Sequence, residues 1–462
     1  MGDGLPTPPG LNAMVPMVTS TDYYNAPWYS PGGALSWQTV WWWATTMALA
    51  DGARAMARGG QNSELLSTVL GMLADPEPHL QHSPAYDQEA LVRQLPWWPD
   101  MVGHADRDDY WRHLAVVEHL DEISVPALHV GGWFDIFAHD TTATFSQMRS
   151  RAAGAEARDG QRLIMGPWDH LNFSGVYPDR QFGLLGNAEA LDLTSTYLKF
   201  FDRWLRGDVG ALDGTAPVRI FVMGIDQWRD EQDWPLPDTT YTDYFLGGDG
   251  RAHPETGGGT LSRAASPIAG VDNYEYDPRD PVPSMGGRLL LPAAAHGAGP
   301  VDQRPIEERP DVLCYSTGPL EEAVEVTGHV RLILHATSSA LDTDFTGKLV
   351  DVYPDGRALY LTDGVLRAKY RDSLSEPQHL EPGRTYELAL DLGVTSNVFL
   401  PGHQLRLEVS SSNFPRYDRN TNTGRVGAAE KLNEALVARN AVLHGPGRPS
   451  RLILPIIDRT RR

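Results

Sequence analysis

Two side chains, one acidic and one imidazole, follow consecutive strand-like segments and could act as a pair. Asp135 comes directly after the apolar run VPALHVGGW and one further residue, and His170 comes shortly after the apolar run RLIMGPW. Parallel strands of an open sheet present functional side chains at their carboxyl ends, so both residues are expected at the same edge. A carboxylate beside an imidazole can orient the ring and stabilise its protonated form, which is acid–base chemistry.

The order of the two residues along the chain suggests which acid–base chemistry this is. A carboxylate after one strand and a histidine after the next is the Asp…His order of α/β-hydrolases, in which the histidine moves a proton to and from a nucleophilic serine. Simpler explanations stay open on spacing alone. An Asp in a strand–helix turn is commonly a helix N-cap, and a His after Trp is commonly a packed, hydrogen-bonded loop residue.

The elements that would position this pair can be traced along the chain. Residues 11–18 (LNAMVPMV) are predicted to form a short buried strand, and from Trp28 to about Leu120 the pattern favours helices rich in Ala, Leu and Trp. The two strands before Asp135 and His170 alternate with helices, which indicates a parallel sheet. After Gly207, short alternating runs separated by turn residues favour a two-sheet antiparallel sandwich, most simply a jelly roll.

Eight segments, in order and over more than 400 residues, resemble motifs of the cocaine esterase and X-Pro dipeptidyl-peptidase (CocE/NonD) hydrolases. These segments are APWYSPGGALS, HVGGWFDIF, RLIMGPWDH, RIFVMGIDQWRDEQDWPLP, YDPRDPVPSMGG, DTDFTGKLVDVYPDGRALYLTDG, NVFLPGH and SSSNFPRYDRNTNTG. The resemblance implies a partial α/β-hydrolase core (residues 1–21 and 118–217), an inserted helical cap (22–117) and a C-terminal jelly-roll, galactose-binding-like β-sandwich (218–462).

The resemblance also implies roles for individual residues. By this match Asp135 and His170 are the acid and base of a Ser-His-Asp triad. Four aromatic side chains would line the substrate pocket: Trp28, Trp43, Phe137 and Trp168. Packing within the cap and its loops explains Trp28 and Trp43 equally well, and Trp37, Trp41 and Trp42 are expected in the core. The implied substrates are small-molecule esters, amides or short X-Pro peptides, and no cofactor is implied.

The nucleophile of such a triad is missing from this sequence. The family carries its serine in a Gly-x-Ser-Tyr-x-Gly elbow upstream of the segment matched by residues 11–18, and no G-x-S-x-G occurs in the 462 residues. Ser30 and Ser36 lack the strand–elbow context and the flanking glycines. We therefore expect an N-terminally truncated member that is inactive alone, with the serine supplied upstream or by a fragment in trans. The alternative is a non-catalytic remnant that binds a ligand or partner.

Composition and residue spacing limit the partners, the cellular location and the metal sites that we expect. The net charge of −21 argues against nucleic acid as a partner. No apolar stretch of membrane-spanning length and no secretory leader is evident, so we expect a cytoplasmic protein without membrane contact. Cys314 is the only cysteine and is expected to be a buried, inert thiol. His79, His82 and His104 lack zinc-site spacing, so no metal is predicted. An uncovered edge at residues 11–18 would favour self-association.

Overall fold

The computed structural model describes residues 8–60, 63–250, 252–253, 258–290 and 297–459. Its first part after residue 21 is helical, as predicted. The helices are α1 (Trp37–Ala57), α2 (Ser63–Ala74), α3 (Glu77–Leu80), α4 (Glu89–Gln94), α5 (Trp98–Gly103) and α6 (Asp109–Arg112). A π-helical turn precedes them at Tyr24–Trp28, and a 3₁₀ segment with a kink at His119 follows at Val116–Glu122. No helix in these ranges is long and apolar enough to cross a membrane.

Buried tryptophans hold this helical cap together. Trp37 and Trp41 on α1 are 1% and 0% exposed. Their indole N–H groups donate to Leu80 O at 3.0 Å and to Gln88 Oε1 at 3.0 Å, which ties α1 to the short helices around it. A buried indole needs such a partner because its N–H would otherwise be unsatisfied. Both side chains therefore belong to the core, as the sequence analysis expected.

A four-stranded sheet follows the cap. Its strands, in spatial order, are β1 (Leu128–Gly132), β2 (Arg162–Gly166), β3 (Val218–Val222) and β4 (Gln227–Glu231). The first three strands are parallel and β4 is antiparallel. Four helices accompany the sheet: α7 (Ala138–Arg151), α8 (Ala155–Asp159), α9 (Ala188–Leu191) and α10 (Leu193–Leu205). The amphipathic α10 buries Phe200 against Leu128 and Ile164, with Tyr197 and Trp204 partly buried beside it.

Two details of this sheet differ from the predictions. β3 and β4 belong to the α/β sheet, so the predicted start of the sandwich at residue 218 falls inside that sheet. A short apolar run has the same sequence pattern whether its strand belongs to the α/β sheet or to the sandwich. Only the strands with which it pairs distinguish the two cases. Residues 11–18 run beside β1 through two isolated bridges, Met14 to Ala127 and Met17 to Val130, and do not form a buried strand. Pro16 has no N–H to donate, and Val18 has a positive φ of 43°.

The C-terminal part is a large β structure. Its strands are β5 (Thr239–Gly247), β6 (Gly259–Ser262), β7 (Gly270–Tyr276), β8 (Leu313–Ser316), β9 (Val324–Ser338), β10 (Asp344–Val352), β11 (Ala358–Arg367), β12 (Tyr386–Phe399), β13 (Gln404–Ser410), β14 (Ala438–His444) and β15 (Arg451–Ile457), with one short helix, α11 (Arg304–Glu307). Neighbouring strands are antiparallel except for β6 and β8. A Cβ on Gly364 of β11 would lie 1.7 Å from Asp391 O of β12.

Strands β11 and β12 therefore lie in opposite layers that approach closely. The layers enclose a core of buried aliphatic side chains, among them Leu332, Leu349 and Leu392. Cys314 on β8 is buried, and its burial raises the pKa of the thiol well above the usual range. The predicted fold class, an α/β part with a helical cap followed by a β-sandwich, is confirmed.

The cap also packs on the sandwich. Phe414 and Ala428, which follow β13, belong to the same apolar cluster as the cap tryptophans. The backbone N–H of Leu35 donates to Asp418 Oδ1 at 3.0 Å, and the N–H of Gln38 donates to Pro415 O at 2.9 Å. Cap, α/β sheet and sandwich thus meet around one region of the molecule.

Candidate active site

Asp135 and His170, which lie far apart along the chain, are adjacent in the structure. Nδ1 of His170 lies 3.0 Å from Oδ1 of Asp135. The Asp135 side chain is fully buried, whereas 23% of the His170 side chain is exposed. Oδ2 of Asp135 is buried and accepts no hydrogen bond from any residue in the described ranges, so its hydrogen bonding is concentrated on the oxygen that faces His170. The arrangement can orient an imidazole and stabilise its protonated form.

Two hydrogen-bonded loops hold this pair in place. After β1, the backbone N–H of Trp133 donates to Gly166 O at 2.9 Å, and that of Phe134 donates to Trp168 O at 2.9 Å. The chain then turns, and the N–H of Asp135 donates to Gly132 O at 3.1 Å. Because the loops after β1 and β2 are bonded to each other, the distance between the side chains they carry is set by backbone contacts.

Glycines permit this close approach. A Cβ on Gly132 would lie 2.2 Å from Trp168 O, and one on Gly166 would lie 2.3 Å from the Trp168 ring. Both contacts are far shorter than any real Cβ makes, so a larger residue at either position would push the loops apart. Gly132 in HVGGW and Gly166 in RLIMG are thus required by the packing of Trp168 under the site.

Trp168 itself is not where the sequence analysis placed it. It is 0% exposed, its Nε1 donates to Gly186 O at 2.7 Å, and its ring packs on Phe173 and Trp228. Its side chain therefore belongs to the core beneath the sheet edge and does not line a substrate pocket. Adjacency in sequence misled the prediction because residues two apart in a loop need not point to the same side.

Of the four aromatic side chains predicted for the pocket, Phe137 is the one whose ring contacts His170, with centroids 5.5 Å apart. Trp28 and Trp43 pack edge to face with centroids 4.7 Å apart, and Trp43 also contacts Trp97. Trp28 is 8% exposed and lies in the apolar cluster of the cap. The structure therefore places these two rings together in the cap, the arrangement that core packing alone predicts.

Between the cap, the loop after β1 and the sandwich lies a small cavity of about 60 Å³, here called the junction cavity. Ile136 and His139 line it next to the Asp135 loop. Ser30 and Ser36 line its cap side, and Ser30 Oγ accepts from the N–H groups of Gly32 and Ala34 within its own turn. Neither serine stands at a strand–helix elbow.

Sequence reasoning missed the side chains that the sandwich contributes to this cavity, among them Arg288, Asp391 and Arg416. They follow the site residues by more than a hundred positions, Asp391 in β12 and the two arginines in loops, and nothing in their local sequence marks them. His139 could have been found, because it follows Asp135 by four residues, just beyond the HVGGWFDIF motif.

Asp169 shapes the turn that carries His170. Its Oδ1 accepts from the backbone N–H of Leu171 at 2.8 Å and of Asn172 at 2.7 Å. Burial raises the pKa of this carboxyl, and the two N–H groups oppose that shift. Asp169 is therefore a loop-forming residue beside the pair, while Asp135 is the carboxylate that contacts the imidazole.

Known proteins are similar to this chain over nearly its whole length. The sequence profile of the X-Pro dipeptidyl-peptidase (S15 family) matches residues 5–172, and that of the X-Pro dipeptidyl-peptidase C-terminal non-catalytic domain matches residues 210–453. The chain is 47% identical to the cocaine esterase of Rhodococcus sp. (strain MB1 Bresler) over 452 residues, which cover 97% of this chain and 77% of that protein.

Solved structures show the same fold. An α-amino acid ester hydrolase superposes with a TM-score of 0.76 at 25% identity, covering 97% of this chain and 73% of that one. An aminopeptidase from a marine sediment Thaumarchaeota archaeon also gives 0.76, at 24% identity and with the same coverage. The sequence and structural matches together show that the chain belongs to the cocaine esterase and X-Pro dipeptidyl-peptidase family of serine hydrolases.

Proposed function

We propose that this chain carries the acid and base of a Ser-His-Asp triad that cleaves ester or amide bonds, including X-Pro peptide bonds, by acyl transfer. The observation that carries the proposal is the 3.0 Å contact between His170 Nδ1 and a fully buried Asp135 carboxylate, with His170 itself partly exposed. Burial of the carboxylate strengthens its interaction with the imidazolium, because little water competes for it.

In this mechanism the two nitrogens of His170 have different tasks. Nδ1 donates to Asp135, which leaves Nε2 as the acceptor for a serine hydroxyl proton. As the serine attacks the carbonyl carbon, Nε2 takes the proton, and it then returns the proton to the leaving alcohol or amine. Asp135 keeps the imidazole in the productive tautomer and stabilises its cation without becoming protonated itself.

The serine and the oxyanion donors come, in this proposal, from a segment outside the present sequence. No G-x-S-x-G occurs in the 462 residues, and neither Ser30 nor Ser36 stands at an elbow. The proposed upstream segment joins the sheet in cis or as a separate fragment in trans, and the chain without it does not turn over substrate. Loss of the oxyanion donors alone costs a triad enzyme a factor of about 10²–10³.

The proposed substrates are small esters, amides or short peptides with an apolar acyl side. Phe137 supports this choice, because its ring lies against His170 where an acyl group would sit. The relatives support the bond types: one is an esterase of cocaine, one is an α-amino acid ester hydrolase, and the matching profiles are those of X-Pro dipeptidyl-peptidases.

The test compares the chain alone with the chain carrying an upstream segment that bears a Gly-x-Ser-Tyr-x-Gly elbow. A fluorophosphonate probe should label the longer protein and leave the 462-residue chain unlabelled. In the longer protein, Asp135→Asn and His170→Ala should each lower kcat for p-nitrophenyl acetate by a factor on the order of 10³ or more.

Two surface substitutions of the same type serve as controls. Asp109→Asn and His119→Ala change an exposed carboxylate and a partly exposed imidazole away from the site and should leave kcat unchanged. Near-normal turnover in Asp135→Asn or His170→Ala would contradict the assigned roles. Labelling of the chain alone would show that a serine within these 462 residues is the nucleophile.

A further inference from the structure

A second cluster of side chains lies where the α/β part meets the sandwich. His139 comes from the first turn of α7, His329 from β9 and Asp391 from β12. Nε2 of His329 lies 2.6 Å from Asp391 Oδ1, and Nε2 of His139 lies 3.5 Å from Asp391 Oδ2. The two imidazole centroids are 5.3 Å apart. One carboxylate is thus shared by two histidines from different parts of the molecule.

An irregularity in the sandwich creates this arrangement. The pairing of β12 with β9 shifts register between Asp391 and Val394, and His329 pairs with Val394 just beyond the shift. The N–H of Gly393 donates to Asp391 Oδ1 at 2.7 Å, which fixes the carboxylate in the bulge. Bulges commonly re-aim a side chain in this way. Asp391 therefore points out of the ladder toward α7.

We propose that His139, His329 and Asp391 bind a divalent transition-metal ion of the Zn²⁺ class. Two imidazoles and one carboxylate, with water completing the coordination, are a common ligand set for such ions. The three ligand atoms already lie within 4.8 Å of one another. Around a tetrahedral Zn²⁺ with bonds of about 2.1 Å they would be about 3.4 Å apart, so a small side-chain rotation closes the site.

Access and charge both suit a cation. The three side chains are between 25% and 35% exposed, so an ion can enter from solvent. The backbone N–H of Gly393 donates to Oδ1 of Asp391, which holds the carboxylate in position as a ligand. The nearby Arg288 guanidinium is directed elsewhere, to Thr362 Oγ1 at 2.9 Å and Val394 O at 2.8 Å.

The bound ion would connect the α/β part of the molecule to the sandwich. His139 follows Asp135 by four residues, whereas His329 and Asp391 belong to the sandwich. An ion held by all three would tie the first turn of α7, and with it the loop that carries Asp135, to strands β9 and β12. Because the ion binds only when both parts are folded together, it should raise the thermal unfolding midpoint.

The experiment uses the 462-residue chain stripped with a chelator and then titrated with Zn²⁺ by calorimetry and with Co²⁺ by visible absorption. We expect one ion per chain, d–d bands of an imidazole-ligated Co²⁺, and a Tm that rises with Zn²⁺. Each of the substitutions His139→Ala, His329→Ala and Asp391→Asn should raise the Kd for Zn²⁺ by about tenfold or more. His139→Gln is a milder change at the same position, because the side chain is 35% exposed and an amide keeps a hydrogen-bonding group beside Asp391, so the metal-free Tm should change little.

His119→Ala is the matched control. His119 lies 3.0 Å from Glu122, so it is also a histidine with a carboxylate partner, but no second imidazole is near it in the described ranges. Its loss should leave stoichiometry and Kd unchanged. The proposal is wrong if no ion binds with 1:1 stoichiometry, or if binding persists in folded His139→Gln and His329→Ala with unaltered affinity.

Discussion

The sandwich and the α/β sheet differ in the partners of their buried charged side chains. In the sandwich, buried charges are paired within the layer: Arg367 bonds to Asp344 and Asp418 through four N–H groups, and Lys348 lies 3.1 Å from Glu408. In the α/β part, the buried Asp135 instead faces the imidazole of His170, of which 23% is exposed.

The edges of the two regions differ as well. Beside β1 only two isolated bridges cover the sheet edge in the part of the chain that the structure describes, and Met17 in that segment is 43% exposed. In the sandwich, β12 instead pairs with β9 from Tyr386, opposite Ala336, to Phe399, opposite Val324. The edge of the α/β sheet is therefore less completely paired than these sandwich strands, which leaves it available for further contacts.

The largest effect expected from this comparison comes from removing a buried charge in the sandwich. Arg367→Ala leaves Asp344 and Asp418 buried without their cation, and breaking a buried pair in this way typically costs about 3–5 kcal/mol of unfolding free energy. Urea denaturation measures the change. Arg384→Ala, which removes an exposed ion pair with Glu381, is the control and should cause no measurable change. Equal effects of the two substitutions would show that the buried carboxylates of the sandwich do not depend on Arg367.

A somewhat smaller change in unfolding free energy is expected in the α/β part when the pH is lowered. Burial lowers the pKa of His129 on β1 from 6.5 to about 4, although its hydrogen bond to Gln161 opposes the shift. Between these values the unfolded chain binds more protons than the folded one, so stability is complete above pH 6.5 and falls as the pH drops toward 4. The shift corresponds to about 3 kcal/mol.

Unfolding free energies of the wild type and of His129→Gln, measured from pH 7 down to pH 4, test this expectation. The variant should lose about 3 kcal/mol less than the wild type over that interval. The partly exposed His119, replaced by Gln, should leave the wild-type slope unchanged. Parallel curves for the wild type and His129→Gln would show that His129 is not held neutral by the fold.

The smallest change in unfolding free energy is expected at the edge of the α/β sheet beside β1. A substitution there should instead change the self-association of the chain. The N–H and C=O groups of Val15 and Met17 point away from β1, since the bonds to β1 come from Met14, Pro16 and Val18. We expect the chain to self-associate through residues 11–18, because an open apolar edge pairs readily with another chain.

Met17→Lys should shift the chain toward monomer in light scattering behind size exclusion while altering stability by about 0.5 kcal/mol or less. Leu184→Lys, at a leucine that is 89% exposed outside this segment, is the matched control and should leave the distribution unchanged. A wild-type chain that is already monomeric would show that the edge needs no partner.

Patterns within short segments were enough to predict the fold class and the proximity of Asp135 to His170. The apolar runs before Asp135 and His170 are strands in the structure, and carboxyl ends of neighbouring parallel strands meet at one edge whatever the rest of the chain does. The cap helices and the alternating strands of the sandwich could likewise be predicted from the sequence. Each element buries one face, so its apolar residues recur with the period of a helix or of a strand.

Tertiary structure decided what depends on direction and on distant partners. Local sequence could not show that Trp168 points beneath the sheet or that Pro16 and Val18 reduce residues 11–18 to two bridges. Nor could it show that β3 pairs with β2, and β4 with β3, instead of joining the sandwich. Nor could it bring His139 to His329 and Asp391, whose meeting depends on a bulge in β12 and on the packing of α7. Periodicity records which face of an element is apolar, whereas contacts between elements arise only when the whole chain is packed.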